Sequence, residues 1–397
     1  MSDLLVSGIG SLVTNRPGRD LLGVVGDAAV AIVDGAVAYA GPEGDLPEEH
    51  RDLPLLDAAG RAVVPGFVDA HTHLVFAGER SGEFARRLRG ETYEEILAAG
   101  GGIHSTVEAT RSAPDLAADA VRRATGMLAN GTTTVEIKSG YGLDTATEVR
   151  MLEAAAAVRE RTPLDVTATF LGAHVPARGM DRGDYLDLVV DEMLPVCAPL
   201  ASACDVFCDD GVFTVSEARR VLLAGLAHGL VPRLHAEQLA HTGAAALAAE
   251  VGASSADHLD CVTPEDAAAL RDAGVVAVLL PAASFSLRSP QAPGRMLWDA
   301  GATVALATDC NPGTSYVDSM PLVVALACLE MGLSPDEALW AATRGGALAL
   351  RMADRGWLGP GAAGDLVVLD APSHLHIPYR LGSGVVERVV KGGAKVG

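Results

Sequence analysis

Histidine and aspartate side chains that could bind one metal ion recur along this sequence. His71 and His73 flank a single residue, and alternate residues of a β-strand point to the same side, so both imidazoles can face one ion. His235, His258 and Asp309 each come directly after a short apolar run. Three imidazoles and one carboxylate are typical ligands of zinc, with iron as the second candidate, and they leave a position for water. The predicted metal ligands are His71, His73, His235 and Asp309.

This ligand set predicts hydrolytic chemistry. A bound metal lowers the pKa of water from 15.7 to about 7, which makes hydroxide available at neutral pH. A nearby group must then move a proton to the leaving group. We predict that His258 handles a proton or polarises the substrate. The sequence contains no Gly-x-Ser-x-Gly turn and no phosphate loop ending in Gly-Lys-Ser/Thr, so a serine nucleophile and nucleotide phosphates are not expected.

A repeated strand–helix pattern must position these residues. Between the two ends of the chain, apolar strand-like runs alternate with alanine-rich helical stretches, which is typical of parallel strands joined by helices. The candidate strands lie at 63–70, 132–137, 165–171, 203–207, 231–234, 254–257, 275–280 and 303–307. Eight such units predict an α/β fold, a (β/α)8 TIM-like barrel, in which functional residues gather at the carboxyl ends of the strands.

The two ends of the chain resemble each other in their β-rich texture. Short apolar runs, such as residues 27–33 and 365–369, are bounded by turn signals such as Asp34-Gly35. The two ends could therefore pair into one small domain beside the barrel.

Composition and charge restrict the possible partners. The chain has 397 residues, of which 49% are hydrophobic and 20% charged, so it can bury a large core. Its net charge of −21 would repel a phosphate backbone or an anionic membrane, so neither nucleic acid nor membrane is an expected partner. The six scattered cysteines lack a Cys-x-x-Cys pair, and the first residues lack the pattern of a signal peptide. We expect a cytoplasmic protein.

The segments around the predicted ligands resemble the amidohydrolase superfamily of metal-dependent hydrolases. Residues 64–73, VPGFVDAHTH, are similar to the opening strand of that superfamily. Further segments look like the imidazolonepropionase family within it, in the same order along the whole barrel: LVFAGER (74–80), GGGI (100–103), IKSGYG (137–142), LGAH (171–174), LHAEQ (234–238) and TDCNPGT (308–314).

The resemblance implies an activity and a site. Members hydrolyse the ring amide of 4-imidazolone-5-propanoate to N-formimidoyl-L-glutamate, with one Zn²⁺ or Fe³⁺ per chain. It implies the four metal ligands given above, with Asp309 passing a proton from water to the departing nitrogen while His258 polarises the carbonyl oxygen. The implied substrate contacts are Arg80, Tyr141, His174, Gln238, Asn311, Gly313 and Thr314. A homodimer is implied as well, and so is a small β-sandwich from both termini, with domains at 1–62, 63–352 and 353–397.

Several of these implied roles have a chemical reason. The planar fork of Arg80 matches the propionate carboxylate of such a substrate. The amide of Gln238 could hold a ring nitrogen but cannot shuttle a proton, whereas some relatives carry a carboxylate there. Tyr141 and His174 could bond either the ring or the carboxylate. Lys138 follows the second candidate strand, and the bridging lysine of binuclear relatives is on the fourth, so we predict one metal and an ion-pairing or loop-stabilising role for Lys138.

Two other functions share part of this pattern. A deaminase of a heterocycle, or another cyclic-amide hydrolase, would use the same ligands and differ around Arg80, Tyr141 and residues 311–314. A barrel that has lost catalysis and serves as a binding protein is a second alternative, which the four intact ligands disfavour. Residues 100–102 predict an active-site loop or a helix N-terminus, and closure of the 79–106 segment over the substrate is left open.

Overall fold

The computed structural model describes residues 2–16, 20–92, 95–96 and 99–396. These residues form two sheets of eight strands each, one parallel and one built from both termini. The strands, in chain order, are β1 Leu4–Leu12, β2 Val25–Val33, β3 Ala36–Pro42, β4 Leu55–Asp57, β5 Ala62–Pro65, β6 Phe67–Asp69, β7 Thr132–Lys138, β8 Asp165–Ala173, β9 Ala203–Cys208, β10 Val231–Ala236, β11 Ser255–His258, β12 Val276–Leu279, β13 Val304–Leu306, β14 Leu366–Leu369, β15 Val386–Lys391 and β16 Ala394–Val396.

Strands β6 to β13 form the barrel, each paired in parallel with the next strand of the chain. The first and last strands meet just beyond their carboxyl ends, where Thr72 bridges to Cys310. There the His73 amide donates to the Cys310 carbonyl at 3.1 Å, and the Asp309 amide donates to the His71 carbonyl at 3.0 Å. The predicted eight-stranded barrel is confirmed, and it closes at the predicted metal ligands.

A helix follows each barrel strand before the next strand begins. The α-helices that the structure describes are Ser81–Leu88, Ile103–Ser112, Ala117–Ala129, Thr145–Arg161, Arg182–Asp187, Leu194–Cys197, Val215–Ala227, Ala244–Glu250, Pro264–Ala273, Pro281–Leu287, Gly294–Asp299, Met320–Glu330, Pro335–Trp340, Gly346–Ala349 and His376–Tyr379. Three of them begin with a reciprocal side-chain cap, formed by Thr214 with Glu217, Thr263 with Asp266, and Ser334 with Glu337. Within the described residues, no helix combines the length and the apolar character that crossing a bilayer requires.

The last barrel helix is interrupted, although the sequence pattern suggests one helix over 336–349. A π-helical turn at Ala341–Gly345 separates its two parts. A Cβ on Gly345 would lie 2.3 Å from the Val304 carbonyl oxygen, and one on Gly346 would lie 2.3 Å from that of Val68. The two glycines therefore allow the helix to press against the backbones of the first and last barrel strands.

The terminal sheet combines strands from both ends of the chain, in the order β16-β15-β14-β5-β1-β2-β3, with β4 beside β1. It buries its own core of aliphatic side chains, which includes Val6, Ile32, Val63 and Leu366. The predicted pairing of the two termini is confirmed. An ion network joins this sheet to the barrel: Lys391 lies 2.6 Å from Asp165 of β8 and 2.7 Å from Asp365.

The first predicted barrel strand, 63–70, is wrong as a single strand. It divides at Gly66 into β5, which pairs with β14 and β1 in the terminal sheet, and β6, which belongs to the barrel. A Cβ on Gly66 would lie 2.3 Å from Thr133 Oγ1, so glycine is needed where the chain passes between the sheets. The domain boundary expected at residue 63 lies inside β5. The other seven predicted barrel strands agree with the observed bounds to within two residues.

Candidate active site

The four predicted metal ligands meet at the carboxyl end of the barrel. His71 and His73 lie just beyond β6, His235 lies in β10 and Asp309 lies beyond β13. All four are at most 3% exposed. Asp309 Oδ1 lies 3.7 Å from His71 Nε2 and 3.6 Å from His73 Nε2. The Nε2 atoms of His73 and His235 are 3.3 Å apart.

These separations fit one metal ion. Ligand atoms at about 2.0 Å from a tetrahedral metal lie about 3.3 Å from one another. His71 Nε2 is buried and has no hydrogen-bond partner among the described residues, as expected of a nitrogen whose lone pair binds a metal. The residues therefore provide a nitrogen- and oxygen-rich cluster of the kind that zinc and iron prefer.

Burial makes this cluster electrically suited to a cation. It lowers the pKa of His71, of His73 and of His258 well below the ordinary range, so these imidazoles stay neutral, which is the form that binds metal. Burial also raises the pKa of the Asp309 carboxyl. A cation beside Asp309 would counter that effect and favour its ionised form.

His258 ends β11 on the same side of the cluster. Its ring centroid lies 5.5 Å from that of His71 and 5.3 Å from that of His235. Its Nδ1 atom is buried and has no hydrogen-bond partner in the part of the chain that the structure describes. Both His258, at φ 78°, and Asp309, at φ 52°, have left-handed backbones, which side chains other than glycine rarely adopt. Such strain at two strand ends is characteristic of functional positions, where it aims side chains inward.

Tyr141 and His174 form the wall beside His73. The His174 ring stacks on that of His73 with centroids 4.9 Å apart, and the Tyr141 ring lies 5.3 Å from the His174 ring. His174 Nδ1 contacts the Gly140 carbonyl at 3.0 Å, so Nδ1 carries the proton and Nε2 is an acceptor. Burial lowers the pKa of His174 to about 3 and raises that of Tyr141, so both are neutral at pH 7.

Arg80 is anchored through one edge of its guanidinium. Its Nε and Nη2 atoms donate to Glu83 Oε2 at 2.9 and 2.7 Å. The other oxygen of Glu83 accepts from the Gly102 amide at 3.1 Å and from Ser105 Oγ at 3.3 Å. Gly102 directly precedes the helix Ile103–Ser112, so the predicted helix N-terminus at 100–102 is confirmed. Glu83 thus ties that N-terminus to the arginine.

Gly313 lies against the free edge of Arg80. A Cβ on Gly313 would lie 2.2 Å from Arg80 Nη1, and the Gly313 carbonyl accepts from Arg87 Nη1 at 2.8 Å. The absence of a side chain at 313 therefore leaves room for the guanidinium in its present position.

Replacing Gly313 with alanine should displace Arg80 without breaking the fold. We expect the KM for an anionic substrate to rise about tenfold, because part of a charged hydrogen bond worth about 1.5–3 kcal/mol is lost. Steady-state kinetics would measure the change. Gly82→Ala is the matched control, since a Cβ there would have no neighbour within 4 Å among residues 2–16, 20–92, 95–96 and 99–396. An unchanged KM in Gly313→Ala would show that the contact between Gly313 and Arg80 does not affect substrate binding.

Asn311 shapes the loop after β13. Its Oδ1 atom accepts from the amides of Gly313 and Thr314, both at 2.8 Å, and its Nδ2 atom donates to the Asp309 carbonyl at 2.7 Å and to Thr314 Oγ1 at 2.8 Å. The side-chain amide is thus used within the loop, which the sequence pattern did not predict. This arrangement links the position of Asp309 to that of Gly313.

Two carboxylates that sequence reasoning missed hold the loop of Gln238. Asp209, just after β9, accepts from the amides of residues 238, 239 and 240 at 2.7–3.1 Å. Glu237 accepts from the amide of Thr242 at 2.6 Å and from that of Gly243 at 3.0 Å. Gln238 itself is half-buried. An acidic residue two positions after the predicted strand 203–207 was the available signal for Asp209.

The barrel carries a second sheet from its termini and a cluster of imidazoles and one aspartate at its strand ends. Its class is that of the amidohydrolases. The model of the amidohydrolase family matches residues 77–396. The imidazolonepropionase of Haloarcula marismortui is 52% identical over 93% of this chain and 90% of its own length. That of Mycolicibacterium smegmatis is 50% identical over 99% of this chain and 97% of its own. The chain belongs to the imidazolonepropionase family.

Solved structures agree on the fold. An adenosine deaminase from Xanthomonas campestris, crystallised with bound zinc, is 22% identical, with a TM-score of 0.75 over 99% of this chain and 92% of that one. A guanine deaminase from C. acetobutylicum is 15% identical, with a TM-score of 0.71 over 99% and 100% of the two chains. At this level of identity the likeness concerns the fold alone, and the predicted α/β barrel is confirmed.

Proposed function

We propose that this chain hydrolyses the ring amide C–N bond of 4-imidazolone-5-propanoate, giving N-formimidoyl-L-glutamate, a step of histidine degradation. The substrate follows from the name of the curated relatives. The observation that carries the proposal here is the loop after β13: it bears Asp309 at one end and presses Gly313 against Arg80 at the other. One loop thereby links a metal ligand to a carboxylate-binding arginine.

We propose one zinc or ferric ion per chain. Its ligands would be His71, His73, His235 and Asp309. When bound, the ion lowers the pKa of a water molecule to about 7 and polarises the substrate carbonyl.

The chain's own residues then move one proton and orient the ring. The attacking water gives a proton to Asp309 as its oxygen bonds to the ring carbonyl carbon. Asp309 passes that proton to the ring nitrogen as the C–N bond breaks, so the departing group leaves neutral. His258, kept neutral by burial, donates a hydrogen bond to the carbonyl oxygen on which charge develops.

The remaining residues would bind the substrate. We propose that Arg80 holds the propionate with its free edge, while Glu83 fixes the other edge. Tyr141 offers a hydroxyl donor and His174 an Nε2 acceptor, which suits the mixed donors and acceptors of the imidazolone ring. Gln238 and Thr314 would complete the contacts from the loops after β10 and β13.

The test is to supply 4-imidazolone-5-propanoate, follow the loss of its ultraviolet absorbance, and measure metal content in the same sample. Turnover with about one zinc or iron per chain would support the proposal. Bound metal without turnover would contradict the proposal that 4-imidazolone-5-propanoate is the substrate. Release of ammonia from aminated heterocycles would then identify a deaminase. Neither metal nor turnover after reconstitution with zinc and iron would contradict the hydrolytic function.

Replacing His258 with asparagine should lower kcat by about 100- to 1,000-fold, the usual cost of removing a donor to a developing oxyanion. Metal content should remain that of the wild type, because His258 is not among the four proposed ligands. Metal analysis beside steady-state kinetics checks both statements. His241→Asn, at a half-exposed histidine that pairs with Asp266, is the control. Loss of metal from His258→Asn would make this residue a ligand instead.

We also propose that the enzyme is a cytoplasmic homodimer. The cysteine pattern supports the location and the family resemblance supports the assembly. Light scattering on the purified chain would measure the mass, and a monomer would contradict the second statement.

A further inference from the structure

Five charged side chains are buried beside the metal ligands. Their side chains are at most 2% exposed. They are Glu136, Lys138, Asp205, Arg233 and Asp257, and we call them the buried charge cluster. Isolated charges are costly in a protein interior, so such a cluster needs close pairing. The proposed reaction uses none of these groups.

Two carboxylates of the buried charge cluster face metal ligands. His71 Nδ1 lies 2.7 Å from Asp257 Oδ2, and His235 Nδ1 lies 3.1 Å from Asp205 Oδ2. The other oxygen of Asp205 accepts from the His235 amide at 3.1 Å. A carboxylate beside Nδ1 keeps the proton on that atom and leaves Nε2 free for the metal. Asp257 therefore fixes the tautomer and the ring orientation of His71. Asp205 holds His235 through its backbone amide and lies within ion-pair distance of its Nδ1 atom.

Lys138 connects these two carboxylates. Its Nζ atom donates to Asp205 Oδ2 at 2.7 Å, to Glu136 Oε1 at 2.9 Å and to Asp257 Oδ2 at 3.5 Å. Its side chain is fully buried at the end of β7, so water cannot replace it. The predicted ion-pairing role of Lys138 is confirmed, and one ammonium serves both carboxylates.

Arg233 contacts the same oxygen of Asp257 as His71 and Lys138 do. Its Nη2 atom lies 3.4 Å from Asp257 Oδ2 and donates to the Ala70 carbonyl at 2.7 Å, directly before His71. Arg233 thus also binds the backbone next to the metal ligand His71. Within the described residues, the Lys138 ammonium contacts only carboxylates.

We propose that Lys138 is a positioning residue that couples His71 and His235 into one metal-binding unit. It does so by holding Asp257 and Asp205 in the positions from which they orient the two imidazoles. The inference rests on the proposed metal site. Without the ammonium, the two carboxylates would lose their shared donor and repel each other, so both ligands would lose their orientation together.

The test compares zinc affinity in two backgrounds of the full-length chain, by competition with a chromophoric chelator. In the wild-type background, Asp257→Asn and Asp205→Asn should each weaken zinc binding about 10- to 100-fold, as is usual for outer partners of metal ligands. Lys138→Met should weaken it at least as much. In the Lys138→Met background, each aspartate substitution should cost less than about threefold, because the orientation is already lost.

Equal losses in both backgrounds, or wild-type affinity in Lys138→Met, would overturn the proposal. If Lys138→Met does not fold by circular dichroism, the Asp205→Asn/Asp257→Asn cycle takes its place: losses that multiply independently would overturn the coupling. Glu148→Gln is the control, since Glu148 is equally buried but binds the amides of Gly140, Gly142 and Leu143 and should leave zinc affinity unchanged. A wild-type chain that binds no zinc or iron would contradict the proposed function itself.

Discussion

Replacing His71 with alanine should remove both the metal and the turnover. His71 Nε2 lies 3.7 Å from Asp309 Oδ1 within the ligand cluster, and its loss leaves two imidazoles and one carboxylate. Without the metal, the pKa of water returns from about 7 to 15.7, so we expect kcat/KM to fall by at least about a thousandfold. Metal analysis and the absorbance assay on one sample measure both effects.

A matched control is available at the outer surface. His228 directly follows the helix Val215–Ala227 and is exposed, so His228→Ala should keep full activity and metal content. A folded His71→Ala protein with a near-native rate would refute the metal mechanism. Asp309→Asn distinguishes the proton-accepting role of Asp309 from the shape of its side chain, because the amide keeps the shape of the carboxyl group but cannot accept the proton of water.

Replacing Arg80 with alanine should raise KM, or lower kcat/KM, by about 100-fold, since a hydrogen bond to a charged group is worth about 1.5–3 kcal/mol and the substrate carboxylate is left unpaired. In a chain of net charge −21, an anionic substrate depends strongly on a local cation. The loss should be confined to substrates that carry the carboxylate. Kinetics with the propionate and with a neutral analogue, such as its methyl ester, would measure this.

The control for Arg80 comes from the same segment. Arg89 directly follows the helix Ser81–Leu88, and its side chain is 65% exposed. Arg89→Ala should therefore leave KM unchanged. Arg80→Lys should recover part of the loss, because the ammonium keeps the charge but not the fork. An unchanged KM in Arg80→Ala would place carboxylate recognition elsewhere.

The sequence was sufficient to predict the barrel and the set of candidate ligands. Parallel strands are buried on both faces, so they appear as short apolar runs, and a polar residue directly after such a run lies at the functional end of the barrel. His235 and Asp309 could be found in this way. The break at Gly66 could not, because two short buried strands in succession have the same apolar pattern as one.

The partners of the site residues were also beyond the reach of the sequence. Glu83 meets Gly102 across a separation of 19 residues, and Asp257 meets His71 across 186. A charged residue inside an apolar strand, such as Asp205 or Lys138, carries no sign of which charge it will face. These pairings depend on the closure of the barrel, which brings distant strands together and which no local pattern describes.

The passage through Gly66 has a consequence for the order in which the chain acquires its structure. The strand β5 leads directly to β6 and His71, and it pairs with β14 through Val64 opposite Val367 and Val63 opposite Val368. During synthesis, His71 leaves the ribosome almost three hundred residues before those partners. The segment that carries the first two ligands therefore gains its final neighbour only when the chain is nearly complete, so metal loading should follow translation rather than accompany it.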